Sequence, residues 1–121
     1  MMRMFKAVAL CTIMLASVGF LLAQAAREKG AGSKPPASEV TKGKAVFEEN
    51  CGICHYASST KKKIGPGLKG LYKRGKFTDG EKVDDASLRA WIEKGGTNMP
   101  PFKDTLSKQQ LADLISYLKT L

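Results

Sequence analysis

Histidine is almost missing from this chain: His55 is the only one in 121 residues. Cysteine is scarce too, at three, and tryptophan occurs once. These shortages exclude a good deal. A structural zinc site takes four protein ligands, and beyond residue 25 only Cys51, Cys54 and His55 are on offer. Two cysteines three positions apart cannot close a long loop, so no disulfide framework supports the fold. No stretch alternates at period two, so few or no strands are expected. The net charge is +9, yet there is no aromatic-studded basic strand and no long basic helix, so nucleic acid is not expected as a partner.

What is present falls into three parts. Arg3 and Lys6 form a short basic head, an apolar run spans residues 7–23, and Ala23-Gln24-Ala25 puts small residues where a signal peptidase reads. Residues 1–25 are therefore expected to be a secretory signal peptide. A run of that length also lies at the lower edge of what spans a bilayer, so an uncleaved membrane anchor is the alternative. Cys11 does not read as a lipoprotein cysteine, because much of the apolar run follows it. Residues 26–37, rich in Gly and Pro, read as a flexible linker, and residues 38–121 as one domain. With the leader removed, Met99 is the only methionine left.

Helical patterning dominates the domain. Ser38 is the expected N-cap of a first helix ending near Asn50, with Val40, Gly43 and Phe47 on one face. Residues 51–79 show little periodicity and many glycines, and read as loops. Asp84 or Asp85 can cap a second helix carrying Leu88, Trp91 and Ile92, which should end near Gly95-Gly96. Ser107 and Gln110 have the spacing of a capping box, with Leu106 placed to staple onto Leu111. The apolar stripe of Leu111, Leu114, Ile115, Leu118 and Leu121 follows. The expected fold class is all-α, with three to five helices.

Cys51-Gly52-Ile53-Cys54-His55 is the C-x-x-C-H arrangement for covalent haem attachment. Residues at i and i+3 share one side of a helical turn. Both thiols can then reach two vinyl groups on one porphyrin edge while the imidazole of His55 turns towards the iron. A thioredoxin-like C-x-x-C would require a strand–helix–strand setting, and none is visible. Met99 is the candidate sixth ligand: no second histidine competes, and Pro100 and Pro101 stiffen its loop.

With those residues in view, the chain from about Val40 to Leu118 resembles the class I, monohaem cytochromes c of the short bacterial type. Beyond the haem motif, Gly43 and Phe47 match the family's first helix. Ile64-Gly65-Pro66-Gly67-Leu68-Lys69-Gly70-Leu71-Tyr72 is similar to its Gly-Pro-x-Leu stretch. Asn98-Met99-Pro100 is similar to its methionine loop, and residues 111–118 to its closing helix.

The resemblance implies one haem c wrapped by the helices and held by Cys51 and Cys54, with His55 and Met99 on the iron. It implies that the Pro66 carbonyl accepts from His55, that Leu68 packs on the proximal haem face, and that Gly43 and Phe47 meet the last helix near Leu114 and Tyr117. Arg74 is carried over from the family's arginine after the Pro loop. Trp91 departs from the family pattern, because it lies within the helix before the methionine loop rather than before the third helix. It is expected against the distal haem face or the core, which leaves the propionate partner open.

The function implied is single-electron transfer between redox proteins with acidic docking surfaces, by a monomer exported to the periplasm, with no catalytic residues. Lys61-Lys62-Lys63 is a candidate part of the docking surface. A haem peroxidase or gas-binding sensor, or a fixed electron-entry subunit of an oxidoreductase, is the alternative function.

Overall fold

The computed structural model describes residues 34–121. The expected signal peptide, and most of the expected linker, lie outside the described residues. Four helices follow in order: α1 (Ala37–Asn50), α2 (Leu71–Arg74), α3 (Asp85–Lys94) and α4 (Lys108–Leu118). Among the described residues there is no regular strand; isolated bridges pair Lys76 with Lys82 and Gly96 with Met99. None of the described helices is long and apolar enough to cross a membrane.

The starts of α3 and α4 are set by side chains that satisfy otherwise unpaired backbone N–H groups. The Asp84 carboxylate accepts from the N–H groups of Ala86 at 3.1 Å and Ser87 at 2.9 Å, and the Ser87 hydroxyl accepts from Asp84 N at 3.0 Å. Ser107 and Gln110 form the corresponding box on α4. Gly95 ends α3 with φ of 72°, a conformation open to glycine at little cost. The start of α1 differs from expectation. Pro36, not Ser38, occupies the N-cap, and no side chain caps the helix. The Pro36 carbonyl accepts from the N–H groups of both Glu39 and Val40 at 3.1 Å, so the backbone turns helical before Ser38 could act as cap.

The core centres on the crossing of α1 and α4, around the fully buried Leu114. At Gly43 the helices approach so closely that an added Cβ would strike the carbonyl of Asp113 and lie 2.8 Å from Tyr117 Cβ. One turn on, the rings of Phe47 and Tyr117 pack with centroids 5.6 Å apart at 56°. Near the other end of α1, the Ser116 hydroxyl donates to the Glu39 carboxylate at 3.0 Å. Leu106 and Leu111 are both buried, as a staple requires.

Residues 51–70 have no regular element and are held by single hydrogen bonds. Gly65 N donates to Cys54 O at 2.8 Å, Leu68 N to Tyr56 O at 2.8 Å and Lys69 N to Ser59 O at 3.3 Å. The loop thereby folds back beside the end of α1.

Candidate haem-binding site

The haem motif continues α1 by one turn. Cys51 N donates to Phe47 O at 2.8 Å, and His55 N to Cys51 O at 2.9 Å. This places Cys51, Cys54 and His55 on the wall of a cleft of about 740 Å³, within the size range of cofactor sites. All eight residues singled out from the sequence line it: Cys51, Cys54, His55, Pro66, Leu68, Arg74, Trp91 and Met99. Phe47, Leu71, Ile92, Phe102, Leu114 and Leu118 supply apolar wall. No carboxylate lines the cleft, whereas Lys62, Arg74 and Lys76 do.

His55 Nδ1 lies 2.8 Å from the Pro66 carbonyl. A carbonyl can only accept, so the proton of a neutral imidazole sits on Nδ1 and the Nε2 lone pair is free for a metal. Gly65 makes that approach possible, because a Cβ there would fall on the imidazole ring. Arg74 reaches the same loop from α2: its Nη2 donates to Gly67 O at 2.8 Å. The arginine thus ties down the residue next to Pro66.

Met99 comes from the segment between α3 and α4. Gly96 and Met99 exchange backbone bonds, N to O at 2.9 Å and 3.2 Å, and close a tight turn. Phe102 N then donates to Ile92 O at 3.0 Å, pinning the strap back on α3. A Cβ at Gly95 would come within 2.5 Å of Met99 O, so the strap needs a glycine beneath it. Trp91 faces the cleft, but its indole N–H is already committed to the Glu81 carboxylate at 3.0 Å.

The donor set suits a haem better than the rival uses of a C-x-x-C. Burial, and then the neighbouring Cys54, push the Cys51 thiol up to about 11. A redox-active or zinc-binding pair works through thiolate and is usually shifted down. Among the described residues, no three His, Cys, Asp or Glu side chains cluster as metal ligands. Two thiols, one imidazole and one thioether on a largely apolar cleft without carboxylates match a flat apolar ring that brings its own iron and two acidic side chains.

Phe77, Thr78, Lys76 and Thr97 also line the cleft. Sequence reasoning did not single them out. They sit in short turns without periodicity, where a local pattern carries no signal.

The family model described as Cytochrome c matches residues 40–121. A "Cytochrome c-553-like" protein of Synechocystis sp. is 32% identical over 83 residues, covering 69% of this chain and 70% of its own. Two solved structures share the fold. Cytochrome c6 of the diatom Phaeodactylum tricornutum has a TM-score of 0.53 at 26% identity, covering 67% of this chain and 91% of its own. Cytochrome cH of Methylobacterium extorquens has a TM-score of 0.50 at 26% identity, covering 68% and 98%. The helical wrap and the cleft define a haem-binding electron-transfer domain. The chain belongs to the cytochrome c family, of the class I monohaem kind. Its cofactor is haem c with iron, and Cys51 and Cys54 fit the attachment motif.

Proposed function

We propose that this protein is a diffusing carrier of single electrons whose iron is ligated by His55 and Met99. The observation that carries the reading is that one cleft gathers both thiols, an imidazole with its Nε2 free and a thioether on a pinned strap. Bound haem supplies the one-electron change, and the protein supplies ligands, exclusion of water and a fixed geometry. Pro66 holds the imidazole's orientation through Nδ1–H and raises its donor strength. Leu68, which lines the cleft, would pack against the haem on the His55 side. The Met99 sulfur, as iron ligand, would favour the ferrous state and raise the potential. With His55 and Met99 both on the iron, no position would be left open for a substrate, which favours electron transfer over turnover chemistry.

The partners are redox proteins with acidic surfaces, met as a monomer in an exported compartment after the leader is removed. No acidic residue lies between Glu49 and Asp79, while Lys61, Lys62, Lys63, Lys69, Lys73, Arg74 and Lys76 do. The ion pairs among the described residues involve none of these seven. Ile53 and Ile64, 70% and 57% exposed, stand within the same segment and line the cleft. A basic surface around an apolar centre steers an acidic partner and then excludes water from the contact.

The test is the visible spectrum of the oxidised holoprotein. A methionine–iron charge-transfer band is expected, and Met99→Ala abolishes it while the haem stays attached. A band that survives in Met99→Ala would remove Met99 as ligand.

A further inference from the structure

Three contacts meet at the indole of Trp91. Its N–H donates to Glu81 Oε2 at 3.0 Å. Its six-membered ring lies under Gly96, where an added Cβ would be 2.8 Å from Cζ3. The ring of Phe77 packs on it, with centroids 5.9 Å apart at 51°. Gly96 is the residue that closes the Met99 turn through paired backbone bonds. Glu81 is itself anchored: its carbonyl accepts from Phe77 N at 2.8 Å, and Gly80 N donates to Phe77 O at 3.1 Å. Trp91 therefore stands between two segments that line the cleft, the 76–82 turn and the methionine strap.

Glu81 is exposed and takes part in no ion pair among the described residues; neighbouring Lys82 pairs with Asp84 instead. Its carboxylate takes the chain's one indole N–H, which is a donor only. A charge-assisted bond of this kind fixes the ring's rotation more firmly than packing alone. We infer that Glu81 is a positioning residue for Met99: by holding the Trp91 indole flat beneath Gly96, it keeps the methionine strap closed over the cleft. The inference rests on Met99 being the iron ligand, and concerns how often that ligand lets go.

The probe is free imidazole added to the ferric holoprotein, with loss of the methionine–iron band as the readout. Glu81→Ala should raise the apparent affinity for imidazole about tenfold, the size expected for one lost charge-assisted hydrogen bond. Trp91→Phe, which keeps an aromatic ring but removes the N–H, should do nearly the same. The double variant should exceed neither by much, because both remove one interaction. Glu81→Gln retains an acceptor oxygen but loses the charge, and should fall between Glu81→Ala and the unchanged protein.

Two results would overturn the inference: Glu81→Ala behaving like the unchanged protein, or Glu81→Gln being as open as Glu81→Ala, which would make charge rather than the bond responsible. Hydrogen exchange at the Gly96 and Met99 amides reads the strap without the iron, and should quicken in Glu81→Ala. If the unchanged protein lacks the band, the ligand assignment fails, and unaltered amide exchange in Glu81→Ala would then dispose of the latch separately.

Discussion

Where α1 crosses α4, contact is made by apolar side chains and by the missing Cβ of Gly43. Between Cys51 and Gly70 the chain has almost no buried apolar side chain, and it is fixed by hydrogen bonds made one at a time. Burial at the crossing is non-directional and large, so it supplies stability. Hydrogen bonds in the loop contribute little each but demand direction. They supply aim, and what they aim is the imidazole of His55.

If that division is right, substitutions in the two regions should differ in kind. The largest loss of stability is expected at Phe47, only 4% exposed. Phe47→Ala should cost roughly 3–5 kcal/mol in denaturant unfolding, and a loss below about 1 kcal/mol would remove the ring contact from the account. Gly43→Ala comes next. Its new methyl meets the backbone of Asp113, which cannot rotate away, so about 1–3 kcal/mol or more is expected. Arg74→Ala should cost less, about 1–2 kcal/mol. Its distinctive effect is on aim: with Gly67 released, the Pro66 carbonyl tracks His55 Nδ1 less well. The measurable sign is faster exchange of the imidazole Nδ1 proton and a raised reduction potential, since a weaker bond makes the imidazole a poorer donor to ferric iron. An unchanged exchange rate would mean that the loop needs no help from α2.

The smallest expected effect is a pH dependence at the edge between the regions. Burial, followed by the hydrogen bond to Asp85 at 2.9 Å, pushes the Tyr72 hydroxyl above its ordinary range. The folded chain keeps a proton that the unfolded chain loses near pH 10. Tyr72 therefore contributes stability in full below that pH, and the contribution fades as pH rises through the folded value. Tyr72→Phe should flatten the alkaline fall in stability. An identical slope in both proteins would show that this hydroxyl titrates as it does in water.

The two regions were also unequally readable. Capping signals are local, so the Ser107-to-Gln110 box shows itself over four residues, the start of α3 falls at Asp84 or Asp85, and the apolar stripe of α4 follows from its period. The start of α1 misled because a serine cap is a local preference, while the Pro36 carbonyl already accepts from the N–H groups of Glu39 and Val40. In the loop, Cys51, Cys54 and His55 announce their chemistry through fixed spacing. The bonds that support them do not. Arg74 donates to a main-chain oxygen, and any residue can offer one, so no side-chain pattern marks the acceptor. Glu81 and Trp91 are ten positions apart across a turn without periodicity, and nothing in their spacing pairs them.

Gly43 also bears on how the domain reaches its final form. Bringing it against Asp113 draws together points roughly 70 residues apart, and the entropy lost in closing so long a loop must be met before any contact across it returns a gain. Local turns such as Cys51–His55 form without that toll, so the rate of refolding is governed by the encounter of the two outer helices rather than by the segments that carry the chemistry. A cofactor stitched to the end of α1 travels with that helix from the start, and is swept into place when the far end of the chain arrives.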